Sequence, residues 1–378
     1  MREEAQEDGG TSQVTRREIM SVLVAMSGGV DSSVSAYLMR KKFGECRGAT
    51  MLLFLNEALG ISGKYPCCSR ENIVDAKAVC EVLGIEHEVI NFMAAFEEHV
   101  IRKFVEVYES GGTPNPCIDC NRYMKFEEFL RHAEACGLER IATGHYARIE
   151  RENSGRWLLR KAADLSRDQS YVLYMLTQEQ LARVEFPLGG MLKSEVRELA
   201  GSLGFANAKK HDSQDICFVP DGDYGAFIET FTGKSYPAGN FVDAGGRVLG
   251  RHRGIIHYTA GQRKGLGVAA RSRLYVSGID PVRNEITLVP ETETGLYASG
   301  VVVRGVNLVA FDVVPENFSG TVKTRYRQKE IQCRVNQTGD DEVVIEFAER
   351  VKSPAIGQAA VVYDGDYVIC GGTIARVL

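Results

Sequence analysis

The stretch Val22-Leu-Val-Ala-Met-Ser-Gly-Gly-Val-Asp-Ser-Ser33 decides the fold class of this chain. Its apolar first half, residues 22–26, predicts a short buried strand, and a helix is expected over residues 33–42. Two glycines in the turn allow the backbone to approach a ligand closely, and the N–H groups and dipole of a helix start favour phosphate oxygens. Asp31 is a candidate magnesium ligand. No Gly-Lys-[Ser/Thr] follows, so the turn is either an unusual phosphate loop or a tight turn without a ligand.

The alternation of strand and helix continues outward from this stretch. Further strands are predicted at residues 49–55, 87–91 and 140–143, and helices at 71–83, 96–108 and 123–136. This order predicts an α/β region with a parallel sheet and helices on both of its faces.

The pattern changes after residue 147. A hairpin is predicted at residues 149–160, followed by helices at 169–176, 178–184 and 194–203. Helical periodicity mostly disappears after residue 220, and short alternating runs predict strands at 275–279, 285–289, 300–307, 320–326, 331–335, 342–347, 359–363 and 373–377. Strands at this spacing are typical of small barrels or sandwiches.

Composition places the chain among ordinary globular proteins. Its 378 residues are 44% hydrophobic and 25% charged, which argues against a disordered, collagen-like or coiled-coil chain. No apolar run approaches the roughly 18 residues needed to span a bilayer. Residues 1–19 are polar, contain no apolar core, and are expected to be a disordered tail rather than a secretory signal, with Met20 as an alternative start. We therefore expect a cytoplasmic protein.

The distribution of charge points to a polyanion. The net charge is −5, yet residues 247–279 contain seven Lys/Arg and no acid, and residues 321–334 contain five against one acid. Basic stripes on an otherwise acidic chain are expected of a nucleic-acid site, although a solvated strand face is the alternative.

Ten cysteines are too few for a disulfide scaffold of this size, so paired cysteines suggest catalysis, redox chemistry or metal binding. Cys117 and Cys120 form a C-x-x-C in a rigid loop that leads into a helix, whose dipole favours the thiolate. A structural zinc half-site or chance pairing are the alternatives. Cys217 is either a reactive thiol or a small buried hydrophobe. The remaining cysteines are interpreted as bystanders, except for Cys67 and Cys68, which have no assigned role; the bystanders are Cys46, Cys80, Cys136, Cys333 and Cys370.

Taken together, these motifs resemble known families. SGGVDSS resembles the signature of the PP-loop ATP pyrophosphatases, which split ATP between the α and β phosphates. The ordered set SGGVDSS, TPNPCIDCN, ATGHYAR, RDQSYVLYML, FPLG, DSQDICFV, HYTAGQRKGLG, KTRYRQ and SPAIGQAAVVYDGD resembles the bacterial tRNA-specific 2-thiouridylases of the MnmA type from about residue 20 to the end. After the expected tail (1–19), the resemblance implies a PP-loop catalytic domain (20–220), a central β-rich tRNA-binding domain (221–295) and a C-terminal tRNA-binding β-barrel (296–378).

The resemblance also implies roles for individual residues. Cys120 matches the catalytic nucleophile and Cys217 the carrier of a persulfide sulfur, and a transient disulfide between them is implied. The ATP site comprises Ala25, Met26, Ser27, Gly28, Gly29, Val30, Asp31, Ser32, Met51 and Gly144. Asn115, Pro116 and Cys117 face the target base. The implied tRNA contacts are His145, Arg167, Asp168, Gln169, Arg325, Tyr326 and Gln358. Cys117 is a departure, because many members have Asp there.

The implied reaction is the 2-thiolation of the wobble uridine, position 34, in tRNAs for Lys, Glu and Gln, using ATP and Mg²⁺. Its partners are the tRNA anticodon arm and a persulfide donor, either a cysteine desulfurase or a sulfur-relay protein. An alternative route uses a 4Fe–4S cluster held by Cys117, Cys120 and Cys217. A non-catalytic RNA-binding module is disfavoured by the intact SGGVDSS. A PP-loop amidating enzyme is disfavoured because no glutaminase-like region is present.

Overall fold

The computed structural model describes residues 20–55, 70–208, 210 and 216–378. The expected tail, Cys67, Cys68 and most of the segment before Cys217 lie outside the described residues. In chain order the strands are β1 (Ser21–Ala25), β2 (Glu45–Leu52), β3 (His87–Asn91), β4 (Arg140–Ala142), β5 (Ala147–Arg151), β6 (Trp157–Lys161), β7 (Val184–Glu185), β8 (Gly239–Val242), β9 (Val248–His252), β10 (Leu274–Asp280), β11 (Glu285–Pro290), β12 (Tyr297–Leu308), β13 (Phe318–Lys323), β14 (Ile331–Gln337), β15 (Glu342–Lys352), β16 (Ala359–Asp364) and β17 (Tyr367–Val377).

The helices follow the same order. They are α1 (Val30–Lys42), α2 (Arg70–Leu83), α3 (residues 93–109), α4 (residues 116–135), α5 (Gln178–Arg183), α6 (Lys193–Ser202) and α7 (Tyr224–Thr232). α3 and α4 are continuous helices that contain π-helical segments, Glu97–Ile101 and Cys120–Glu128 respectively. Short 3₁₀ turns occur at Ser170–Val172, Ile255–His257 and Thr294–Leu296.

The first sheet confirms the predicted parallel architecture. Its strand order is β3-β2-β1-β4-β7, and each neighbouring pair is parallel. β1 is fully buried and lies between β2 and β4, so the chain leaves β1 at the point where the strand order reverses. Ligands of open α/β sheets bind at this switch point, beyond the carboxyl ends of the strands. The glycine-rich turn after β1 therefore occupies the preferred ligand position of the fold.

The C-terminal half forms two further sheets. β10, β11, β8 and β9 make a small four-stranded sheet. β12, β15, β14, β13, β16 and β17 form a barrel, which the pairing of β12 with β17 closes. The predicted hairpin is confirmed as β5 and β6, but β6 also pairs with β17, through Arg160 and Tyr367. One hydrophobic cluster spans all three regions and includes Leu23, Phe241 and Tyr363.

Several sequence-based assignments differ from the structure. The helix predicted over 169–176 is reduced to the 3₁₀ turn Ser170–Val172. A distant side chain binds carbonyl groups of this segment: Asn307 Nδ2 donates to the oxygens of Tyr174 and Leu176 at 2.6 and 2.9 Å. The strand predicted over 320–326 ends at Lys323, after which the Gln328 side chain accepts a bond from the Thr324 N–H.

The helix α7 was not anticipated after residue 220. Its local signals are nevertheless present: the Asp223 carboxylate accepts a bond from the Ala226 N–H at 3.1 Å, and Gly233 ends the helix in the left-handed region at φ 66°. An aspartate at the N-cap and a glycine at the C-cap are common helix boundaries, so the sequence contained enough information to predict α7.

Candidate active site

The turn after β1 has the geometry of a phosphate loop. Gly28 has φ +72°, and a Cβ atom there would lie 2.3 Å from the carbonyl oxygen of Asn72, so only glycine fits. Gly29 precedes α1, and no side chain caps this described helix start. The N–H groups of the first turn therefore need another acceptor, which phosphate oxygens supply. Ser32 Oγ accepts a bond from the Ser27 N–H at 3.2 Å and holds the turn closed.

The neighbouring strands bring the other predicted nucleotide residues to this turn. Ala25 pairs with Ala49 on one side, and Val24 pairs with Ala142 on the other. Met51 and Gly144 each follow two residues after those partners, at the same edge of the sheet. A Cβ atom on Gly144 would lie 3.1 Å from Ser32 N, so this position packs against the backbone of the loop.

The Asp31 carboxylate is already engaged. Lys193 Nζ donates to its two oxygens at 2.9 and 2.7 Å, and the Tyr146 hydroxyl donates to Oδ1 at 2.8 Å. Lys193 is almost fully buried, at 6% exposure. Asp31 as a magnesium ligand stays a prediction: in this structure its carboxylate is paired with Lys193, which magnesium would have to displace.

A second lysine approaches the loop from the far end of the region. Lys210 Nζ donates to the Gly28 carbonyl at 3.3 Å and pairs with Asp75 at 2.7 Å. Asn207 Nδ2 also donates to the Gly28 carbonyl, at 3.1 Å. Lys193 and Lys210 put two positive charges near the loop, and sequence reasoning missed both because no motif marks them.

The predicted target-base loop is anchored to the barrel. Gln358 Nε2 donates to the carbonyl oxygens of Thr113 and Pro114 at 3.0 and 2.8 Å, and the Thr113 N–H donates to the Ile356 carbonyl at 2.8 Å. Residues of the barrel therefore hold the backbone of the loop directly before Asn115. Gln358 thus contacts this loop directly and positions it.

Cys117 and Cys120 lie at the start of α4, which confirms the predicted C-x-x-C at a helix start. Pro116 is the first helical residue, Cys117 is exposed, and Cys120 lies half-buried at the beginning of the π-helical segment. π-bulges occur frequently at functional sites. Between the thiols, burial raises the pKa of Asp119, although its ion pair with Lys103, at 2.6 Å, opposes the shift.

A small cavity adjoins this helix start. Its volume is about 50 Å³, and its walls come from the target-base loop, α3, α4 and the barrel: Lys103, Val107, Pro114, Asn115, Ile118, Asp119, Arg122, Tyr174, Gly357, Ala359 and Thr373. Lys103 and Arg122 therefore bring positive charge beside Asn115.

Cys217 lies half-buried next to residues 211–215, which fall outside the described residues. It contacts the same hydrophobic cluster as Cys120. The following residue, Phe218, packs its ring against Phe104, with centroids 5.3 Å apart. Within the described ranges, the one group of three ligand atoms close enough to share a single ion is Glu88, His132 and Cys136, away from these thiols.

His145 is placed in the core. The residue is 6% exposed, and its ring lies 2.7 Å from Thr143 Oγ1 through Nδ1 and packs between Phe126 and Phe186. Burial holds its pKa well below the ordinary value, so the ring is neutral. The tRNA contact expected of His145 stays a prediction, and in this structure its side chain is buried against Thr143, Phe126 and Phe186.

The other predicted tRNA residues form two groups that meet. Tyr326, in the turn after β13, donates from its hydroxyl to the Asp168 carbonyl at 3.0 Å. Gln169 Oε1 accepts a bond from the Tyr146 N–H at 2.9 Å, which connects this segment to the partner of Asp31. Arg167 directly precedes Asp168 and Gln169 in the same segment. Arg325 Nη2 donates to the carbonyls of Ser353 and Ala260 at 2.6 and 3.2 Å and joins the barrel to the central region.

The basic stripe at 247–279 is not uniform. Arg247 pairs with Asp243 at 3.1 Å, and Arg251 donates to neutral oxygens. Arg263 and Arg273 instead line an open cavity of about 340 Å³ in the glycine-rich loop around Gly265. This loop is therefore a cationic part of the stripe, and Arg251, whose partners here are neutral, adds a further positive charge.

The chain matches three family models in succession. Residues 20–221 match the tRNA methyl transferase HUP domain, 225–290 the tRNA methyl transferase PRC-barrel domain, and 300–374 the aminomethyltransferase beta-barrel domain. The tRNA-specific 2-thiouridylase MnmA of Geotalea uraniireducens is 47% identical over 361 residues, covering 94% of this chain and 95% of that protein. The protein of the same name from Carboxydothermus hydrogenoformans is 44% identical over 359 residues, covering 94% and 98%.

A solved 4-thiouridine synthetase–RNA complex with bound ATP aligns with a TM-score of 0.33 and 18% identity, covering 56% of this chain and 53% of that one. Along the described part of the chain, no helix is both long enough and apolar enough to cross a bilayer.

Proposed function

Because the chain belongs to the family of the tRNA-specific 2-thiouridylases, we propose that it uses ATP to convert the wobble uridine, position 34, of tRNAs for Lys, Glu and Gln to 2-thiouridine. The observation that carries the proposal is the uncapped phosphate loop at the switch point of the sheet, in a chain that also presents Cys120 at a helix start. The cytoplasm is the compartment in which we expect it to act.

The first step is adenylation of the uridine. The C2 oxygen attacks the α-phosphorus of ATP, the bond to the bridging oxygen of the β-phosphate breaks, and pyrophosphate leaves. The N–H groups at the start of α1, with Lys193 and Lys210 close by, stabilise negative charge on the phosphates. Mg²⁺ bound to the triphosphate would add to this stabilisation. The product carries AMP as a leaving group in place of a poorly leaving oxygen.

The second step is sulfur transfer. A donor, either a cysteine desulfurase or a sulfur-relay protein, leaves a persulfide on Cys217. Its terminal sulfur attacks C2 and AMP departs. The Cys120 thiolate then attacks the inner sulfur, so that 2-thiouridine leaves and a Cys120–Cys217 disulfide remains, which an external thiol reduces. The thiolate is the form of Cys120 that attacks, and the C-x-x-C places this residue one turn from the start of α4.

The target nucleotide must leave its stack to reach these thiols, as in other enzymes that act on a base atom. We propose that Asn115, Pro116 and Cys117 receive it, since Gln358 holds this loop from the barrel. Arg167, Arg325 and Tyr326, with the cationic loop at Arg263, bind the phosphates of the anticodon arm. The three matched regions, bounded near residues 220 and 295, act as catalytic, central and barrel units.

The test uses purified chain, ATP, a persulfide source and unmodified tRNA, with 2-thiouridine measured by mass spectrometry of nucleosides. Cys120→Ser and Cys217→Ser are each expected to abolish the product and to retain ATP binding, because a hydroxyl replaces neither a thiolate nucleophile nor a persulfide. Cys136→Ser removes a half-buried thiol elsewhere and is the matched control. Product from either active-site variant at the control's rate would overturn the proposal.

The iron–sulfur route makes the same product and is separated by spectroscopy. Anaerobically purified chain that lacks iron and visible absorption, yet is active, supports the persulfide route. Activity that appears only with a cluster ligated by Cys117, Cys120 and Cys217 would replace it.

A further inference from the structure

Three side chains with metal-binding atoms meet on the surface, outside the active site. Glu88 lies on β3, the edge strand of the parallel sheet. His132 lies in the last turns of α4, and Cys136 is the residue at which α4 ends. His132 and Cys136 are four residues apart and so share one face of the helix. Neither the proposed phosphate loop nor the proposed thiol pair uses any of them.

The three ligand atoms converge on a single point. His132 Nε2 lies 3.0 Å from Glu88 Oε1 and 3.5 Å from Cys136 Sγ, and all three atoms lie within 4.8 Å of one another. A neutral imidazole nitrogen carries either one proton or one lone pair, so Nε2 makes one good bond in this direction and not two. Either Glu88 Oε1 or Cys136 Sγ is therefore poorly hydrogen-bonded to the imidazole. A cation between the three ligand atoms would bind all of them.

Two of the three separations are close to those around a tetrahedral zinc-type ion. With metal–sulfur, metal–nitrogen and metal–oxygen bonds of about 2.3, 2.1 and 2.0 Å, tetrahedral angles put sulfur and nitrogen about 3.6 Å apart and nitrogen and oxygen about 3.3 Å apart. The observed 3.5 and 3.0 Å are close to both values. Only small side-chain shifts are needed to admit an ion.

The surroundings favour a cation and leave it a path of entry. The side chains of Glu88 and His132 retain 43% and 27% exposure. The carboxyl end of a helix carries partial negative charge, which favours a bound cation near Cys136. Arg47 is the nearby positive group whose charge interacts with Cys136, and Glu45 and Glu86 pair with it.

We propose that Glu88, His132 and Cys136 bind a divalent ion of the zinc class, with water in the fourth position. Cys136 loses its proton on binding and acts as a thiolate, His132 is neutral, and Glu88 is a carboxylate, so the site with its ion is electrically neutral. Thiolate with imidazole selects this class of ion over Mg²⁺ or Ca²⁺. The ion would tie the exposed edge strand β3 to the end of α4.

Cobalt(II) serves as the probe, because a cobalt–thiolate bond gives an intense near-ultraviolet band. The full chain, Cys136→Ser and His132→Gln are titrated in parallel, and bound metal is counted after dialysis. Cys120→Ser is the matched control for loss of a half-buried thiol, since it would reveal cobalt bound at the active site. We expect Cys136→Ser to lose one equivalent of cobalt and its band, and Cys120→Ser to retain that equivalent.

Thermal unfolding provides a second readout. Zinc is expected to raise the Tm of the full chain and of Cys120→Ser, and to leave the Tm of Cys136→Ser and His132→Gln unchanged. Glu88→Gln, an exposed change, gives the same test if a helix variant does not fold. Cobalt stoichiometry and a zinc-induced rise in Tm that both survive in Cys136→Ser would overturn the site. Formation of 2-thiouridine does not depend on this outcome.

Discussion

Replacing Lys193 with methionine tests the ion pair beside the phosphate loop. The Lys193 ammonium donates to both oxygens of Asp31, at 2.9 and 2.7 Å, and Tyr146 supplies a further bond at 2.8 Å. Methionine keeps much of the apolar stem and removes the charge. The change therefore isolates the electrostatic contribution of a buried lysine.

The structure gives the size of the effect. Removing one partner of a fully buried pair costs about 3–5 kcal/mol. The Asp31 side chain keeps 28% exposure and its bond from Tyr146, so water and the hydroxyl compensate in part. We expect the free energy of unfolding to fall by about 2 kcal/mol. An uncompensated carboxylate in the first turn of α1 would repel the ATP phosphates. Like charges a few ångströms apart interact by a few kcal/mol at an effective dielectric constant near 20, before screening, so ATP should bind about tenfold to a hundredfold more weakly.

Urea unfolding and ATP binding are measured for the parent, Lys193→Met and Lys42→Met. Lys42 pairs with Glu185 at 2.8 Å but is 51% exposed, so its loss should cost less than about 1 kcal/mol and leave ATP affinity unchanged. The double variant Lys193→Met/Asp31→Asn removes both charges and should recover much of the stability. The reasoning is refuted if Lys193→Met unfolds like Lys42→Met and binds ATP like the parent.

Four further predictions concern the loop, the tRNA surface, the third thiol and the tail. Gly28→Ala places a Cβ atom on a residue with φ +72°, 2.3 Å from a backbone oxygen, so adenylation should be lost and the free energy of unfolding should fall by at least about 1 kcal/mol. Gly29→Ala, whose Cβ would lie 3.5 Å from its nearest neighbour, should have a mild effect. Equal losses of adenylation and stability in the two variants would contradict this. Arg325→Ala should weaken tRNA binding and reduce the slope of log affinity against log salt by about 0.7–0.9 without changing ATP affinity; an unchanged slope would leave Arg325 with only its bonds to carbonyl groups. Cys117→Asp should keep substantial thiolation with unchanged iron content, whereas an inactive, iron-free variant beside an active, iron-containing parent would favour the cluster route. Deletion of residues 1–19 should leave thiolation and Tm unchanged, and a large fall in either would show that the tail contributes.

Elements with local sequence signals were predictable from the amino-acid sequence. The apolar run before Ser27 and the two glycines that follow it specify a buried strand, a tight turn and a helix start within a dozen residues. The strand β3 has the predicted bounds, and the hairpin of β5 and β6 surrounds the predicted turn. The start of α4 also has a local signal, since Pro116 occupies the first helical position. The helix nevertheless begins seven residues before the predicted residue 123. Such features depend on backbone preferences of neighbouring residues, which a sequence displays directly.

The assembly of the site depends on contacts between residues that are far apart in the sequence. Lys193 and Asp31 are separated by 162 positions, and Gln358 and Thr113 by 245, so no spacing rule connects them. The segment 169–176 has a helical pattern but is not a helix, because Asn307 binds its carbonyl groups from the barrel. In each case the partner becomes available only after the sheet and the barrel have packed together, and a buried polar group then adopts the conformation in which that partner satisfies it.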